Sequence, residues 1–285
     1  MNKIVIIGGN YLTVELEKKF KKNSFRTYVL TRKKKNIFNN CNQYVCNYLN
    51  KHQLYRNLEK INPHIIINLV SYYKDNINIS FRTNIKLPLN LLSWIAKKNT
   101  SKLILIGSAA EYGDFFKNRK STHESSPLKP TSVYALTKTL QSLIFLKFYK
   151  KYKSNIILIR IFNLFGKIFN KEILVGKINN FIKSKNKNKI LKLGNLSSYR
   201  DYISIKKAAK MIATISIKAK KGSIYNVGSG KPILVRKMVY DILKNHKINK
   251  NKVKESLSFN NKRSNSSYIY ANIDKFLKLS SDGYK

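Results

Sequence analysis

Tyr134 and Lys138 stand four residues apart in Ser-Val-Tyr-Ala-Leu-Thr-Lys, Ser132 to Lys138. On a helix that spacing places a phenol and an ammonium on one face. A neighbouring cation favours the phenolate, so a tyrosine that ordinarily ionises near about pH 10 would exchange a proton with a substrate oxygen at neutral pH. With 18 tyrosines and 57 lysines plus arginines, the spacing also arises by chance. Its meaning therefore rests on its surroundings. Upstream, Lys102–Ile106 reads as a buried strand, and Gly107-Ser108-Ala109-Ala110-Glu111-Tyr112-Gly113 follows at its carboxyl end, the edge where open α/β sheets hold ligands. A loop with Glu124, Pro127 and Pro130 then leads into the tyrosine helix. This order brings Ser108 and Tyr134 toward one reacting oxygen.

The elements that must position these groups follow an alternating pattern. Strands are predicted at Lys3–Ile7, Thr27–Leu30, Gln43–Val45, Ile65–Val70, Leu103–Ile106 and Ile156–Ile159, with helical stretches between them. Such alternation predicts an α/β fold, a doubly wound parallel sheet. The first strand runs into Gly8-Gly9-Asn10 and an amphipathic stretch from Leu12 to Phe20. Strand, glycine turn and helix start are the parts that hold a nucleotide pyrophosphate.

Composition narrows the class. A hydrophobic content of 43% is that of a globular chain. No apolar run approaches the roughly 20 residues that span a bilayer, and the amino terminus reads as a strand, so a cytoplasmic protein without membrane insertion is expected. Cys41 and Cys46 are too few for a disulfide framework, and neither they nor His52, His64, His123 and His246 form a zinc-binding spacing. No metal is expected. The 57 basic residues against 13 acidic ones leave a net charge of +44, a balance that attracts nucleic acid or anionic surfaces at low salt. The lysines are spread along the chain, however, and a solvated basic surface without a specific nucleic-acid partner is the expectation.

Taken together, the segments resemble the extended short-chain dehydrogenase/reductases, the family of nucleotide-sugar epimerases, dehydratases and ketoreductases. The resemblance spans nearly the whole chain. It includes Asn68-Leu69-Val70-Ser71 after a strand, Asn84 opening a helix, Ser108 five residues before Gly113, Pro127-Leu128-Lys129-Pro130 and the Tyr134/Lys138 pair. It continues through Arg160-Ile-Phe-Asn-Leu-Phe-Gly166, Gly194-Asn195 with Arg200-Asp201-Tyr202, Tyr225-Asn-Val-Gly-Ser-Gly230, and Arg263. The implied architecture is a Rossmann-like dinucleotide-binding domain, residues 1–166 rejoined by about 199–218. Residues 167–198 and 219–285 would form a smaller substrate-binding lobe.

For the reacting centre the resemblance implies Tyr134 as proton donor or acceptor, Lys138 as the cation that lowers its pKa and holds the cofactor ribose, and Ser108 as a hydrogen-bonding partner of the substrate oxygen. Gly8, Gly9, Asn10 and Tyr11 would meet the dinucleotide, although the family pattern G-x-x-G-x-x-G breaks here. Without a gap, Tyr11 and Val14 replace the second and third glycines; with a one-residue deletion, Thr13 takes the last. A side chain at the second glycine is expected to crowd the phosphates. After the second strand, Thr31-Arg32-Lys33-Lys34-Lys35 replaces the acidic residue that commonly grips the adenosine ribose. Cations there suit a ribose 2′-phosphate, so NADP is favoured, with NAD possible. Asn47 is expected beside adenine, and Leu69, Val70, Asn84 and Phe162 in further cofactor contacts.

Asn163, Arg200 and Arg263 are the residues expected to bind a nucleotide-sugar substrate, Arg200 and Arg263 through its phosphates. Ala109 and Ala110 occupy the positions where family members that eliminate water carry an acid/base pair, which leaves 4-keto reduction of a 4-keto-6-deoxy nucleotide sugar, with 4-epimerisation on bound NAD as the alternative. A degenerate member binding RNA or another polyanion is a further alternative. The family also tends to form homodimers through two helices per subunit, here Asn84–Lys97 and Tyr134–Lys151, and to serve polysaccharide synthesis.

Overall fold

The computed structural model describes residues 1–38, 41–74, 76–98, 100–113, 120–166, 173–184, 190–255 and 267–281. Near-continuous runs of isoleucine, leucine and valine have no polar face to offer water, so they become parallel strands covered on both sides. In chain order the elements are β1 (Lys3–Ile7), α1 (Tyr11–Lys22), β2 (Arg26–Thr31), β3 (Asn42–Val45), α2 (Lys51–Ile61), β4 (Ile65–Asn68), α3 (Ile77–Phe81), a π-helical turn (Arg82–Lys86), α4 (Leu87–Lys98), β5 (Lys102–Ser108) and α5 (Val133–Tyr152). They continue as β6 (Ile156–Ile161), β7 (Asn163–Phe165), α6 (Leu174–Ile182), β8 (Leu191–Leu193), β9 (Tyr199–Ser204), α7 (Ile205–Lys218), β10 (Ile224–Val227), β11 (Pro232–Leu234), α8 (Val235–Asn245), β12 (Val253–Glu255), β13 (Tyr268–Ile269) and α9 (Asp274–Ser281).

Seven strands make one sheet in the order β10-β6-β5-β4-β1-β2-β3, and every neighbouring pair is parallel. The period of two along β1 divides its side chains between two cores. Ile4 and Ile6 join Leu16 and Phe20 of α1 and Ile212 of α7. Val5 and Ile7 join Leu54 of α2, Leu91 and Ile95 of α4 and Phe145 of α5. The strand order reverses direction between β1 and β4, and in such sheets the carboxyl edge at the reversal opens into a crevice.

The expected division of the chain needs one correction. Residues 219–285 do not all lie in the smaller lobe: β10 is the seventh strand of the main sheet, paired with β6, and α9 contacts α7 and β10. The run Ile-Tyr-Asn-Val is short and carries two polar residues, so its pattern does not announce a buried strand. Asn226 is nevertheless fully buried, because its amide nitrogen donates to Thr122 O at 2.8 Å and its Oδ1 accepts from Tyr112 at 2.7 Å. A separate hydrophobic core of Ile178, Leu191, Leu193, Val239 and Leu243 joins α6, β8 and α8. Among the described residues no helix is long and apolar enough to cross a membrane.

A buried ion pair braces the carboxyl end of β5. Glu111 accepts from Ser108 N at 2.7 Å, from Arg160 Nε at 3.0 Å and from the Ser142 hydroxyl. Arg160 continues to the Tyr112 hydroxyl at 3.1 Å and to Glu124 O at 3.0 Å. Burial pushes the Glu111 carboxyl above its ordinary value, against the pull of Arg160 and Ser142. A Cβ on Gly107 would lie 2.4 Å from Glu111 Oε1, so glycine is what admits the carboxylate beneath the strand end. The pair joins β5, β6 and α5 where Ser108 emerges.

Candidate functional site

A cavity of about 780 Å³ opens along the carboxyl edge of the sheet. Its walls include Gly9, Asn10 and Tyr11 after β1, Leu69, Val70 and Ser71 after β4, Ser108 after β5, Tyr134 and Lys138 on α5, and Phe162 and Asn163 after β6. Each strand end delivers a short segment to one space.

The glycine turn is built differently from the expected pattern. Gly8 adopts φ +100°, and a Cβ there would meet Val70 Cγ2 at 3.1 Å. Asn10 caps α1: its Oδ1 accepts from Thr13 N at 3.0 Å, while Thr13 Oγ1 donates to Gly8 O at 2.9 Å. Thr13 is fully buried, so the residue standing at the last glycine turns inward and stabilises the helix start. Tyr11 lies on the cavity wall and packs its ring on the core that contains Leu12 and Ile205. Tyr11 is thus part of the wall beside the glycine turn.

Beyond the turn, Lys35 reaches back, its ammonium donating to Gly9 O at 2.6 Å. Desolvation lowers its pKa, and the nearby Arg32 lowers it further. Arg32 itself lies off the cavity wall with its guanidinium 6.0 Å from the Tyr48 ring centre. Asn47 is exposed and off the wall, its Oδ1 accepting from Leu49 N at 3.2 Å. Asn84 is also off the wall. Fully buried in the π-helical turn, it accepts from Tyr72 N and donates to Tyr72 O and Thr137 Oγ1, all at 3.0 Å. Its amide is committed to the protein, which makes it a brace between the loop after β4 and α5.

On α5, Ser132 Oγ accepts from Ala135 N at 3.1 Å and caps the helix. Lys138 is almost fully buried, its Nζ donating to Ile106 O at 2.8 Å and Gln141 Oε1 at 3.2 Å. Desolvation lowers its pKa to about 8, with Glu111 opposing. The Tyr134 ring lies 4.7 Å from that of Tyr73, tilted by 37°. Desolvation raises the Tyr134 hydroxyl well above its ordinary value, Tyr73 adds to this, and the Ser108 and Ser71 hydroxyls oppose it. The direction is opposite to the lowering expected from Lys138, because burial penalises the phenolate. Ser108 Oγ accepts from Ala110 N at 3.2 Å, an arrangement that leaves the hydroxyl proton to donate. Ser71 Oγ is buried on the cavity wall.

Toward the smaller lobe, Asn163 Nδ2 donates to Asp201 O at 3.0 Å, and Arg200 Nη1 donates to Tyr199 O at 2.9 Å and to Ser267 Oγ at 2.9 Å. Both side chains also line an adjoining cavity of about 270 Å³ with Lys177 and Asn195. Asp201 accepts instead from the amides of Ser229 at 2.7 Å and Gly230 at 2.9 Å, on the other side of β9 from Arg200. Arg263 lies outside the described residues.

Ser71, Tyr73, Lys35 and Tyr202 also line the cavity, beyond the residues expected there. Ser71 and Lys35 belong to the segments after β4 and β2 that carry the resemblance, but nothing in the local pattern distinguishes Tyr73 or Tyr202 from other tyrosines. Among the described lining residues none carries a carboxylate, whereas Lys35, Lys138 and Arg200 supply positive charge. No group of three or more potential metal ligands occurs among the described residues. The cavity is therefore suited to an anionic ligand, with hydroxyls as its proton-handling groups. The glycine turn, the start of α1 and the buried Ser71 hydroxyl fit a dinucleotide.

Comparison with known proteins identifies the family. A family model described as the NAD dependent epimerase/dehydratase family matches residues 4–228. A dTDP-D-glucose 4,6-dehydratase from Dictyostelium discoideum is 26% identical over 262 residues, 80% of this chain and 58% of that protein. A GDP-6-deoxy-D-talose 4-dehydrogenase from Aggregatibacter actinomycetemcomitans is 31% identical over 179 residues, 61% of this chain and 58% of that protein. The chain thus spans 58% of the length of these curated relatives. Among solved structures, dTDP-glucose 4,6-dehydratase from Bacillus anthracis in complex with NAD shares the fold with a TM-score of 0.84 at 19% identity, covering 99% of this chain and 91% of that one. The UDP-glucose 4-epimerase of Thermus thermophilus, in complex with NAD, gives 0.82 at 17%, covering 99% and 93%. With the family model matching most of its length, the chain belongs to the NAD dependent epimerase/dehydratase family.

Proposed function

We propose that this protein is a nicotinamide-dependent oxidoreductase of nucleotide-linked sugars that reduces a 4-keto-6-deoxy nucleotide sugar. The observation that carries the reading is the meeting of Ser108, Tyr134 and Lys138 at a cavity whose described walls hold no carboxylate. Elimination of water needs an acid and a base beside the sugar, and Ala109 and Ala110 line the wall there, while Glu111 is ion-paired below the strand. Ketone reduction needs only a hydride and one proton.

The residues proposed to hold the dinucleotide are Gly8, Gly9, Asn10 and Tyr11 at the start of α1, Lys35 beside them, and Leu69, Val70, Tyr134, Lys138 and Phe162 along the cavity. When bound, a dihydronicotinamide would supply the hydride for the sugar carbon. Tyr134 Oη gives its proton to the carbonyl oxygen, and Ser108 Oγ donates a hydrogen bond to the same oxygen as charge develops there. Lys138 stabilises the phenolate left behind. Asn163 and Arg200 bind the nucleotide-sugar, Arg200 through its phosphates. The 4-epimerase reading uses the same residues and differs in retaining its nicotinamide, without net consumption.

Lys35 carries the proposed preference for NADP: it lines the cavity beside Gly9, whereas Arg32 stands off the wall over Tyr48. A homodimer is proposed through α5, whose outward face carries Leu136, Leu140, Leu143 and Leu146, all exposed, while its inward face buries Thr137, Lys138, Gln141 and Ser142. The exposed Ile77 and Phe81 of α3 extend the apolar area. On α4, Leu87, Leu91, Leu92 and Ile95 are core residues, so the proposed face belongs to α5 and α3.

Reduction of a nucleotide 4-keto-6-deoxy sugar, followed by NADPH absorbance, is expected to fall by roughly 100-fold or more in Tyr134→Phe; unchanged turnover would remove Tyr134 as the acid. The pH profile of kcat/KM is expected to decline above about pH 8, where Lys138 loses its charge. Its folded pKa lies below the ordinary 10.5, so across that window the unfolded chain binds the extra proton and stability rises with pH while activity falls. Lys138→Met should abolish the limb, and a limb left in place would assign it elsewhere. Calorimetry should show Lys35→Ala losing affinity for NADPH by about tenfold more than for NADH; equal losses would reject Lys35 as the selector. Sedimentation should show the wild type as a dimer and Leu140→Glu with Leu143→Glu as a monomer, and a monomeric wild type would end the dimer proposal.

A further inference from the structure

Tyr134 must recover a proton after each reduction, and the structure places a second phenol beside it. Tyr73 lies on the loop after β4, with its ring 4.7 Å from that of Tyr134; burial raises the pKa of its hydroxyl, and the Ser71 and Tyr134 hydroxyls oppose this. It lines the cavity and is 48% exposed as a residue, so its ring stands at the cavity rim with its hydroxyl buried inside. We propose that Tyr73 is a proton-relay residue that acts through Tyr134, carrying protons between solvent and the Tyr134 oxygen. The proposal rests on the oxidoreductase reading above.

The placement of Tyr73 is built into the fold. The backbone of the preceding residue, Tyr72, is clamped on both sides by the Asn84 side chain, which accepts from Tyr72 N and donates to Tyr72 O. The same amide donates to Thr137 Oγ1, one turn along α5 from Tyr134. One buried asparagine therefore fixes the loop that carries Tyr73 to the helix that carries Tyr134. It does so from a π-helical turn, a local widening of the helix found often at functional sites.

The steps balance without an additional co-reactant. The Tyr134 O–H bond breaks as its proton joins the sugar oxygen, whose carbon has accepted hydride from the dihydronicotinamide. The Tyr134 phenolate takes the proton of Tyr73 Oη, and Tyr73 takes one from water or a buffer acid. Neither tyrosine changes oxidation state. In the oxidative direction the same route exports the proton.

Tyr73→Phe keeps the ring contact and removes only the relaying hydroxyl. The variant is expected to lose about tenfold in kcat with the KM values for sugar and dinucleotide unchanged, and added imidazolium should restore its rate in proportion to concentration while leaving the wild type unaffected. Independently of turnover, protein labelled with carbon-13 at the tyrosine ζ position should show the Tyr134 resonance displaced, and its titration midpoint lowered, in Tyr73→Phe. Wild-type kcat in the variant, a loss that imidazolium does not restore, or an unchanged Tyr134 titration would each overturn the relay. If the wild type itself neither binds dinucleotide nor turns over, the oxidoreductase reading fails and the relay with it; an active wild type matched by its variant removes the relay alone.

Discussion

The contact on which the site depends is between the buried ammonium of Lys138 and the carbonyl oxygen of Ile106, 2.8 Å apart. A cation held away from water is costly unless its donors are met, and here a strand carbonyl and Gln141 meet them. The consequence is geometric. The bond ties α5 to the end of β5, two residues before Ser108, so the helix cannot slide without stranding its charge. Glu111 and Arg160 brace the same junction from beneath, through Ser142 on α5 and the Ser108 amide.

The electrostatics follow from that burial. Water is kept from the Tyr134 hydroxyl as it is from Lys138, so the phenol holds its proton more tightly than in solution and the ammonium less tightly. At neutral pH the Tyr134 phenol therefore carries its proton. The hydroxyls of Ser71, Ser108 and Tyr73 modulate the group, while the charged side chains on the cavity wall are all cationic among the described residues. Anionic ligands entering such a space would meet positive charge at Lys35 at one end and Arg200 at the other.

Much of this is legible from residue order. Apolar runs, those of β1, β4 and β5 followed by glycine or asparagine, mark strands and the edge at which they end, and the four-residue spacing of Tyr134 and Lys138 survives on α5, where both line the cavity. What stays hidden depends on contacts between distant segments. Thr13 looks like damage to a glycine loop, yet its hydroxyl bonds to Gly8 O inside the turn. Arg32 occupies the expected position, but Lys35, three residues on, is the cation that folds back to Gly9. Asn84 reads as a cofactor contact, and only the π-helical turn reveals that both ends of its amide face Tyr72. The direction of the Tyr134 pKa is not a matter of spacing because it is set by desolvation, a property of the assembled fold.

The account is tested most directly by a crystal structure of the protein with NADPH and a nucleoside diphosphate. It predicts the pyrophosphate of the dinucleotide at the start of α1 and its nicotinamide ring beside Ser108, Tyr134 and Lys138, with Tyr11 remaining on the wall. A dinucleotide bound elsewhere, or a Tyr11 side chain occupying the groove while the ligand is excluded, would contradict it.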